Sequence, residues 1–152
     1  MQHRHNHYVH LAIMTVLSFL AMYVLMYAMV DRFANVYPNL NQFYMAGLMT
    51  APMVLIELAV MGSMYANKKA NLAIAAVSVV ALAGFFLLIR QQTTIGDVQF
   101  LKSMIPHHAG AILMCGKAPI SDPEIKQLCK TIMDGQQKEI DQMKATLVRL
   151  EK

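Results

Sequence analysis

Three long stretches that almost lack charged residues constrain this chain more than any other feature. They cover 11–30, 43–66 and 72–89, and Glu57 is the single charged residue among them. About 20 apolar residues are enough to span the hydrocarbon core of a bilayer, which is ~30 Å thick. The sequence therefore predicts an all-α membrane domain over 1–90, with transmembrane helices at about 9–30, 43–66 and 71–90 and the lipid bilayer as partner.

Charged residues concentrate in the last third of the chain. They make up 14% of the whole sequence, well below the ~25% that is usual in soluble domains. Most lie in 97–152, where their spacing is typical of soluble helices, so a second, hydrophilic domain is predicted there. The net charge of +4 is mild and unclustered, and it gives no indication of nucleic-acid binding.

The orientation in the membrane depends on the short loops. Lys68 and Lys69 lie in the shortest one, and short loops next to spans follow the positive-inside rule best. We therefore expect this loop in the cytoplasm, in a multi-pass protein of the inner (cytoplasmic) membrane. With three spans, residues 97–152 would then be periplasmic or extracellular.

A methionine stripe marks the second predicted span. Met45, Met49, Met53 and Glu57 follow one another at four-residue spacing, which keeps them on one slowly winding band. Methionine packs well in apolar surroundings, but thioethers also bind Cu(I). An ionised carboxylate near the middle of a span is costly, so Glu57 needs a proton or a polar partner. Candidates for that partner are Tyr23, Thr50 and Ser78.

Histidines also occur ahead of the first span. They are His3, His5, His7 and His10, a set that could chelate a divalent metal in a flexible manner.

Residues 97–150 carry the start signals of two helices. Asp97 is a plausible N-cap for the first helix, and Gly116 suits its end. Ser121 to Glu124 combine a capping-box spacing with a proline in the first turn. Two helices joined by so few residues are expected to run antiparallel as a hairpin.

The first of these helices gathers candidate metal ligands on one face. At 3.6 residues per turn, one arc holds Phe100, Met104, His107, His108, Ala111, Met114 and Cys115. The opposite face holds Lys102, Pro106, Ala109, Gly110 and Leu113. The two adjacent histidines point about 100° apart, so they are expected to serve different neighbours.

The second helix has an apolar stripe that two polar residues interrupt. The stripe includes Ile132, Ile140 and Met143, whereas Gln136 and Glu139 intrude on it. Buried polar groups cost free energy unless they have partners. The histidines of the facing helix are the predicted partners, either as hydrogen-bond acceptors and donors or as joint ligands of a metal.

The hairpin register follows from the position of its turn. A turn near 117–121 would place Met104 level with Gln136 and Met143 beyond the start of the first helix. Cys115 and Cys129 would then be offset by about five residues, or ~7.5 Å along the axis. We therefore expect these two cysteines not to be bridged within one chain.

A hairpin of two helices cannot bury these stripes by itself. A homodimer or higher homo-oligomer that completes a four-helix bundle is the simplest solution.

The C-terminal helices resemble the domain of unknown function 305 family in three patterns: D-x-x-F-x-x-x-M-I-P-H-H, the helix start D-P-E-I, and Q-x-x-E-I-x-x-M. The match runs from Asp97 to Leu150 and includes Met104, His107, His108 and Glu139. The resemblance implies a ferritin-like helical bundle in a membrane-anchored subgroup. It also implies binding of copper or silver, since some family members are exported proteins implicated in that function.

Three functional hypotheses remain open. The leading one is binding of a soft metal ion, copper or silver, in the cell envelope for homeostasis or resistance. Its candidate ligands are Met104, His107, His108, Met114, Cys115, Cys129, Glu139 and Met143, with Cu(I) as the expected ion. The alternatives are transport of Cu(I), or proton-coupled transport, through the Met-rich spans, and a membrane-tethered assembly module without metal. No enzyme is expected, because a di-iron carboxylate site needs several Glu and Glu-x-x-His pairs.

Overall fold

The computed structural model describes the backbone of residues 2–152 and the side chains from residue 7 onward. Five α-helices follow one another in this part of the chain: α1 (Gln2–Leu25), α2 (Leu40–Val60), α3 (Lys68–Gln91), α4 (Asp97–Lys117) and α5 (Pro123–Leu150). Two short 3-10 helices, Met26–Met29 and Phe33–Asn35, lie between α1 and α2. No strand occurs among residues 2–152, so the predicted all-α class is confirmed.

Three helical segments in the described chain are long and apolar enough to cross a membrane: His7–Met29, Leu40–Val60 and Lys68–Gln91. The second begins and ends earlier than the predicted 43–66. It ends at Val60, and a turn follows. A Cβ at Gly62 in this turn would lie 2.9 Å from the carbonyl oxygen of Leu58. Glu57 therefore lies in the last turn of α2, not near the middle of a span, which lowers the cost of its charge.

The chain divides into two compact units. The first comprises the residues up to Leu25 together with Gln42–Thr93. Leu11, Val54 and Tyr65 form its buried cluster. Phe85 packs where a Cβ at residue 47 would stand, so only glycine allows this close approach of α2 and α3. The unit contains a cavity of about 350 Å³ with almost entirely apolar walls, including Phe19, Val54 and Phe85.

The second unit comprises Met26–Asn41 and Thr94–Lys152. We call residues 26–41 the strap, because this segment packs on α4 and α5. The core of the unit consists of Ile105, Ala109, Ile140 and Leu147, and the strap adds Val30 and Tyr37. The sequence did not indicate that the end of the first apolar run belongs to the core of the C-terminal helices.

The strap covers the α4 face that lies opposite the candidate ligands. Pro106, Ala109 and Gly110 are buried there. A Cβ at Gly110 would lie 3.5 Å from the carbonyl oxygen of Met29, which places the strap backbone in contact with α4. The strap is thus a packing partner of α4 in addition to α5.

Hydrogen bonds hold the strap to the first half of α4. Pro106 has no N–H and so leaves the carbonyl of Lys102 without its helical donor. The amide of Asn39 donates to that carbonyl at 3.4 Å. The backbone N–H of Leu40 donates to the side-chain oxygen of Gln99 at 2.9 Å. The strap thus satisfies the backbone group that the proline leaves open.

A polar cluster joins the strap to α5. Lys144 Nζ donates to Asn35 Oδ1 at 2.5 Å and to the carbonyl of Ala34 at 3.0 Å. Asn35, almost fully buried, donates to Asp31 at 2.6 Å. Burial opposes ionisation of Asp31, but hydrogen bonds from Arg32 and Asn35 and the Arg32 charge outweigh it. The pKa of this carboxyl therefore lies below its usual value of 3.8.

Two helix caps differ from the predicted ones. Asp122, not Ser121, caps α5, and its carboxylate accepts from the N–H groups of Glu124 and Ile125 at 2.9 and 3.0 Å. Gly96 precedes α4 as N-cap, and Asp97 is the first helical residue. Both helices still begin within one residue of the predicted positions.

Cys115 and Cys129 form a disulfide, with their Cα atoms 5.2 Å apart. The expectation that they are not bridged is therefore wrong. It assumed that the connection between the helices adds no length along their axes. Ala118 instead leaves α4 with extended dihedral angles (φ −65°, ψ 137°), so α5 begins beyond the end of α4.

The register of α4 against α5 also differs from the predicted one along the rest of the two helices. His108 contacts Glu139, and Lys102 forms an ion pair with Glu151 at 2.7 Å. Since residue numbers fall on α4 as they rise on α5, the two helices run antiparallel. Met104 precedes His108 by four residues and Met143 follows Glu139 by four, so the register places Met104 level with Met143. The predicted pairing of Met104 with Gln136 is wrong for the same reason as the cysteine prediction.

Candidate metal centre

His108 occupies the seam between α4 and α5. It is buried, and both of its ring nitrogens have partners. Nδ1 lies 2.9 Å from the carbonyl oxygen of Met104, and Nε2 lies 2.7 Å from Oε2 of Glu139. A carbonyl and an ionised carboxylate can only accept hydrogen bonds. The tautomer with a proton on Nδ1 satisfies the Met104 carbonyl, and Nε2 then faces the carboxylate.

If His108 bound a metal, Nε2 would be the coordinating nitrogen. Metal-ligating histidines commonly donate their other ring N–H to a carbonyl, which fixes the ring and its tautomer. Nδ1 of His108 is held in this way by Met104. For a metal ion to bind both groups, Nε2 and the carboxylate oxygen would have to move apart from 2.7 Å, because each ligand bond to a metal is about 2 Å long. The Glu139 side chain is 58% exposed, so the pair is open on one side.

Two thioethers lie one helical turn from this pair. Met104 and Met143 are level with each other in the observed register, and both are partly buried. Met143 packs against the core cluster that contains Ile105 and Ile140. Of the predicted ligands, the seam joins His108 and Glu139 directly and places Met104 and Met143 one helical turn along it.

Gln136 is the other polar residue that intrudes on the α5 stripe. Its side-chain oxygen is buried and has no hydrogen-bond partner among the described residues. The sequence predicted a histidine partner for both Gln136 and Glu139, and only Glu139 has one. Gln136 lies one turn from Glu139, so an unsatisfied acceptor flanks the histidine–glutamate pair.

His107 and Met114 lie outside the seam. His107 is exposed, and its ring centroid is 6.1 Å from that of His108. Met114 is 52% exposed. Adjacent histidines thus have different surroundings, as their angular separation predicts. Neither His107 nor Met114 joins the four residues of the seam in a single chain.

Cys115 lies near the end of α4, and Cys129 lies near the start of α5. In the disulfide neither sulfur is a thiolate, so neither Cys115 nor Cys129 can bind a metal in that form. Their predicted role as ligands therefore applies only to a reduced chain. Among the residues that the structure describes, no group of three or more His, Cys, Asp and Glu side chains converges on one point.

The methionine stripe of α2 faces away from the interior of its own unit. Met45 and Met49 are 38% and 45% exposed, and Met53 is partly buried. The buried face of α2 instead consists of Tyr44, Ala46, Gly47, Thr50, Ala51 and Val54. None of the stripe methionines lines the cavity of this unit.

Glu57 has a partner that the sequence did not indicate. The Tyr65 hydroxyl donates to Glu57 Oε1 at 3.1 Å. The expected partners were Tyr23, Thr50 and Ser78, and the hydroxyl of Thr50 donates to the Ala46 carbonyl instead. Because Tyr65 follows the end of α2, the chain itself folds back to the carboxylate.

Of the N-terminal histidines, His7 and His10 have side chains in the described part of the chain. The chain from Gln2 onward belongs to α1. The side chains of His3 and His5 lie outside the described part, and His10 is exposed. The ring of His7 packs edge-on against Tyr65, with centroids 6.5 Å apart.

Together these features define an all-α protein with three helices suited to crossing a membrane and two packed helices in which a buried histidine contacts a partly exposed glutamate. The chain matches the domain of unknown function 305 (DUF305) over residues 60–147, more than half of its length. The protein belongs to this family, which confirms the resemblance carried by the M-I-P-H-H motif. An uncharacterised protein of Acanthamoeba polyphaga mimivirus is 34% identical over 139 residues, covering 89% of each chain. No solved structure matches the chain.

Proposed function

We propose that this protein binds a soft metal ion, Cu(I) or Ag(I), with its C-terminal helices while its apolar helices anchor it in a membrane. The observation that carries the proposal is the buried His108, whose Nδ1 is fixed by a backbone carbonyl and whose Nε2 faces Glu139. A ring held in this manner is oriented as a metal ligand before any metal arrives. The role is binding, for metal homeostasis or resistance, and not catalysis.

The donor atoms around His108 favour a soft ion. Imidazole and carboxylate alone would suit several divalent metals, but thioethers select Cu(I). Met104 and Met143 supply two thioethers one turn from the pair. The Gln136 oxygen, buried and without a hydrogen-bond partner among the described residues, adds an uncompensated acceptor next to the site. An ion bound here would offset part of that cost.

A second copy of the chain would complete the site. The exposed apolar residues of α4 and α5 include Phe100, Met114, Ile125 and Leu128, each close to half exposed. Two such helix pairs would cover these residues in a ferritin-like four-helix bundle. His107 lies on the exposed side of α4, where it would face the partner copy and the open side of the His108–Glu139 pair.

The disulfide supports a location outside the cytosol. Disulfides persist in oxidising compartments and are rare where thioredoxin and glutathione act. A bridged Cys115–Cys129 therefore fits a periplasmic or extracellular C-terminal unit. The same orientation follows from a cytoplasmic Lys68–Lys69 loop in a three-span protein of the inner membrane.

Anaerobic titration with Cu(I) in competition with a chromophoric chelator tests the proposal. His108→Ala should remove binding, because it deletes the oriented nitrogen. His107→Ala should weaken binding less, because its side chain is exposed in one chain. Met104→Leu, which nearly conserves volume, should weaken binding while costing under ~1.5 kcal/mol of stability. Lys138→Gln, next to Glu139 but exposed and outside the seam, is the matched control.

Unchanged Cu(I) affinity in His108→Ala, with an intact helical signal, would contradict the metal-site interpretation. His108 and Glu139 would then be a buried hydrogen-bonded pair that helps to specify the helix register.

A further inference from the structure

We infer that Cys115, Cys129 and Met133 form a second Cu(I) site, which the disulfide closes and a reductant opens. This inference rests on the proposed function only for the identity of the ion. It concerns different residues, at the other end of the helix pair from Met104 and Met143. Met133 was not among the ligands that the sequence suggested.

Two cysteines and a methionine lie near one another at this end of the pair. The disulfide holds the Cα atoms of Cys115 and Cys129 5.2 Å apart. Met133 follows Cys129 by four residues, so the two lie on the same face of α5. The Met133 sulfur lies 3.9 Å from the point that a Cβ of residue 116 would occupy. The thioether therefore lies against α4 at the residue that follows Cys115.

Gly116 is the α4 residue that the Met133 sulfur approaches, at an ordinary contact distance that would also admit a Cβ there. The glycine was predicted to end α4, yet the helix continues through it to Lys117.

The chemistry of opening the site is a thiol–disulfide exchange. A dithiol reductant transfers two electrons and two protons to the Cys115–Cys129 bond and leaves as its own disulfide. The bond between the two sulfurs breaks, and each becomes a thiol. When Cu(I) binds, the two thiols release their protons and coordinate as thiolates, with the thioether of Met133 as third ligand. Soft thiolate and thioether donors are the set that Cu(I) prefers.

The required movement is small. Sulfur ligands at ~2.3 Å from an ion lie about 4 Å from each other, whereas bonded sulfurs are about 2.05 Å apart. The cysteine sulfurs must therefore separate by about 2 Å. Rotation about the Cα–Cβ bonds can supply this while the helices stay in place. Cys115 is partly exposed, so a reductant can reach the bond.

The test compares oxidised and reduced full-length protein in detergent micelles. The reduced sample is treated with a dithiol, which is then removed without air. Reduced protein should bind one more Cu(I) per chain than oxidised protein, with a new thiolate-to-copper absorption in the ultraviolet. Met133→Leu should lower the affinity for that additional ion by about tenfold or more. Met64→Leu changes a 43% exposed thioether of the first unit, in neither proposed site, and should leave the affinity unchanged.

A second comparison separates the two sites. The double variant His108→Ala, Glu139→Gln should still gain the additional ion on reduction, even though it has lost the ion of the oxidised form. Failure of the proposed function would appear as absence of Cu(I) from the oxidised wild type. Failure of the present inference would appear as equal stoichiometry in the oxidised and reduced wild type, or as a Met133→Leu variant that binds like the wild type.

Loss of structure on reduction is also informative. If the reduced helix pair melts, Cu(I) should restore the helical circular dichroism of the wild type. It should not restore that of a Cys115→Ser, Cys129→Ser variant. Restoration in both proteins, or in neither, would overturn the inference.

Discussion

Replacing both Cys115 and Cys129 by serine should destabilise the C-terminal unit strongly. The cysteines are separated by 14 positions, so the bond closes a short loop that includes the whole connection between α4 and α5. In the chain-entropy account, a closed loop of about 15 residues adds roughly 3 kcal/mol by restricting the unfolded state. The native contacts of the helices stay in place, because the substitution removes little volume.

A thermal melt followed by circular dichroism in detergent measures this loss. For a domain of about 60–100 residues, each kcal/mol shifts the midpoint by roughly 4–8 °C, so a fall of about 12–24 °C is expected. Reduction of the wild type should give a similar fall, and Met114→Leu should give almost none. A double-serine variant that melts within ~4 °C of a fully oxidised wild type would refute the reasoning. The register of α4 and α5 would then not depend on the bond.

Three further predictions follow from the C-terminal unit and its placement. Ile140→Ala should lower the free energy of unfolding by ~2–5 kcal/mol, because Ile140 is fully buried. Val148→Ala, at a 60% exposed position, should lower it by less than ~0.5 kcal/mol. Denaturant melts that show equal losses would contradict the assigned core. Asp31 has a lowered pKa, so the stability that it contributes is present above pH 3.8 and is lost as the pH falls through its folded-state pKa. Acid unfolding of Asp31→Asn should lack this component, and an identical pH profile would argue against the strap cluster. Alkaline phosphatase fused after Lys152 should be active, and an inactive fusion beside an active cytoplasmic reporter would reverse the orientation.

The sequence predicted the helices well because their signals are local. Long charge-free runs, the proline after Asp122 and the apolar stripe of α5 each report on a single helix. The pairing of His108 with Glu139 could also be predicted, since a polar residue in an apolar seam needs a partner from the facing helix. That prediction depends only on which faces of α4 and α5 are buried. It does not require the exact alignment of the two helices along their axes.

The register itself was not accessible from the sequence. It depends on the path of five connecting residues, and Ala118 extends that path where a compact turn was assumed. The disulfide and the level pairing of Met104 with Met143 follow from this path. Met133 was missed because it lies beside the apolar stripe, although its four-residue distance from Cys129 was a usable signal.

The strap shows a second limit of composition. Residues 26–30 end an apolar run that is long enough for a membrane span, so their hydrophobicity was assigned to lipid. In the structure Val30 packs against Ile105 and its neighbours in the C-terminal unit. Apolar side chains look alike in a sequence whether lipid or protein covers them.

The metal content of the purified protein tests the central claim most directly. Wild type and His108→Ala would be produced in cells supplied with copper, purified in detergent without chelator, and measured by mass spectrometry of the metal. We expect copper to copurify with the oxidised wild type at close to one ion per chain or per dimer, and to be lost in His108→Ala. Equal copper in the two proteins, or none in the wild type after Cu(I) is added, would contradict a metal centre at His108.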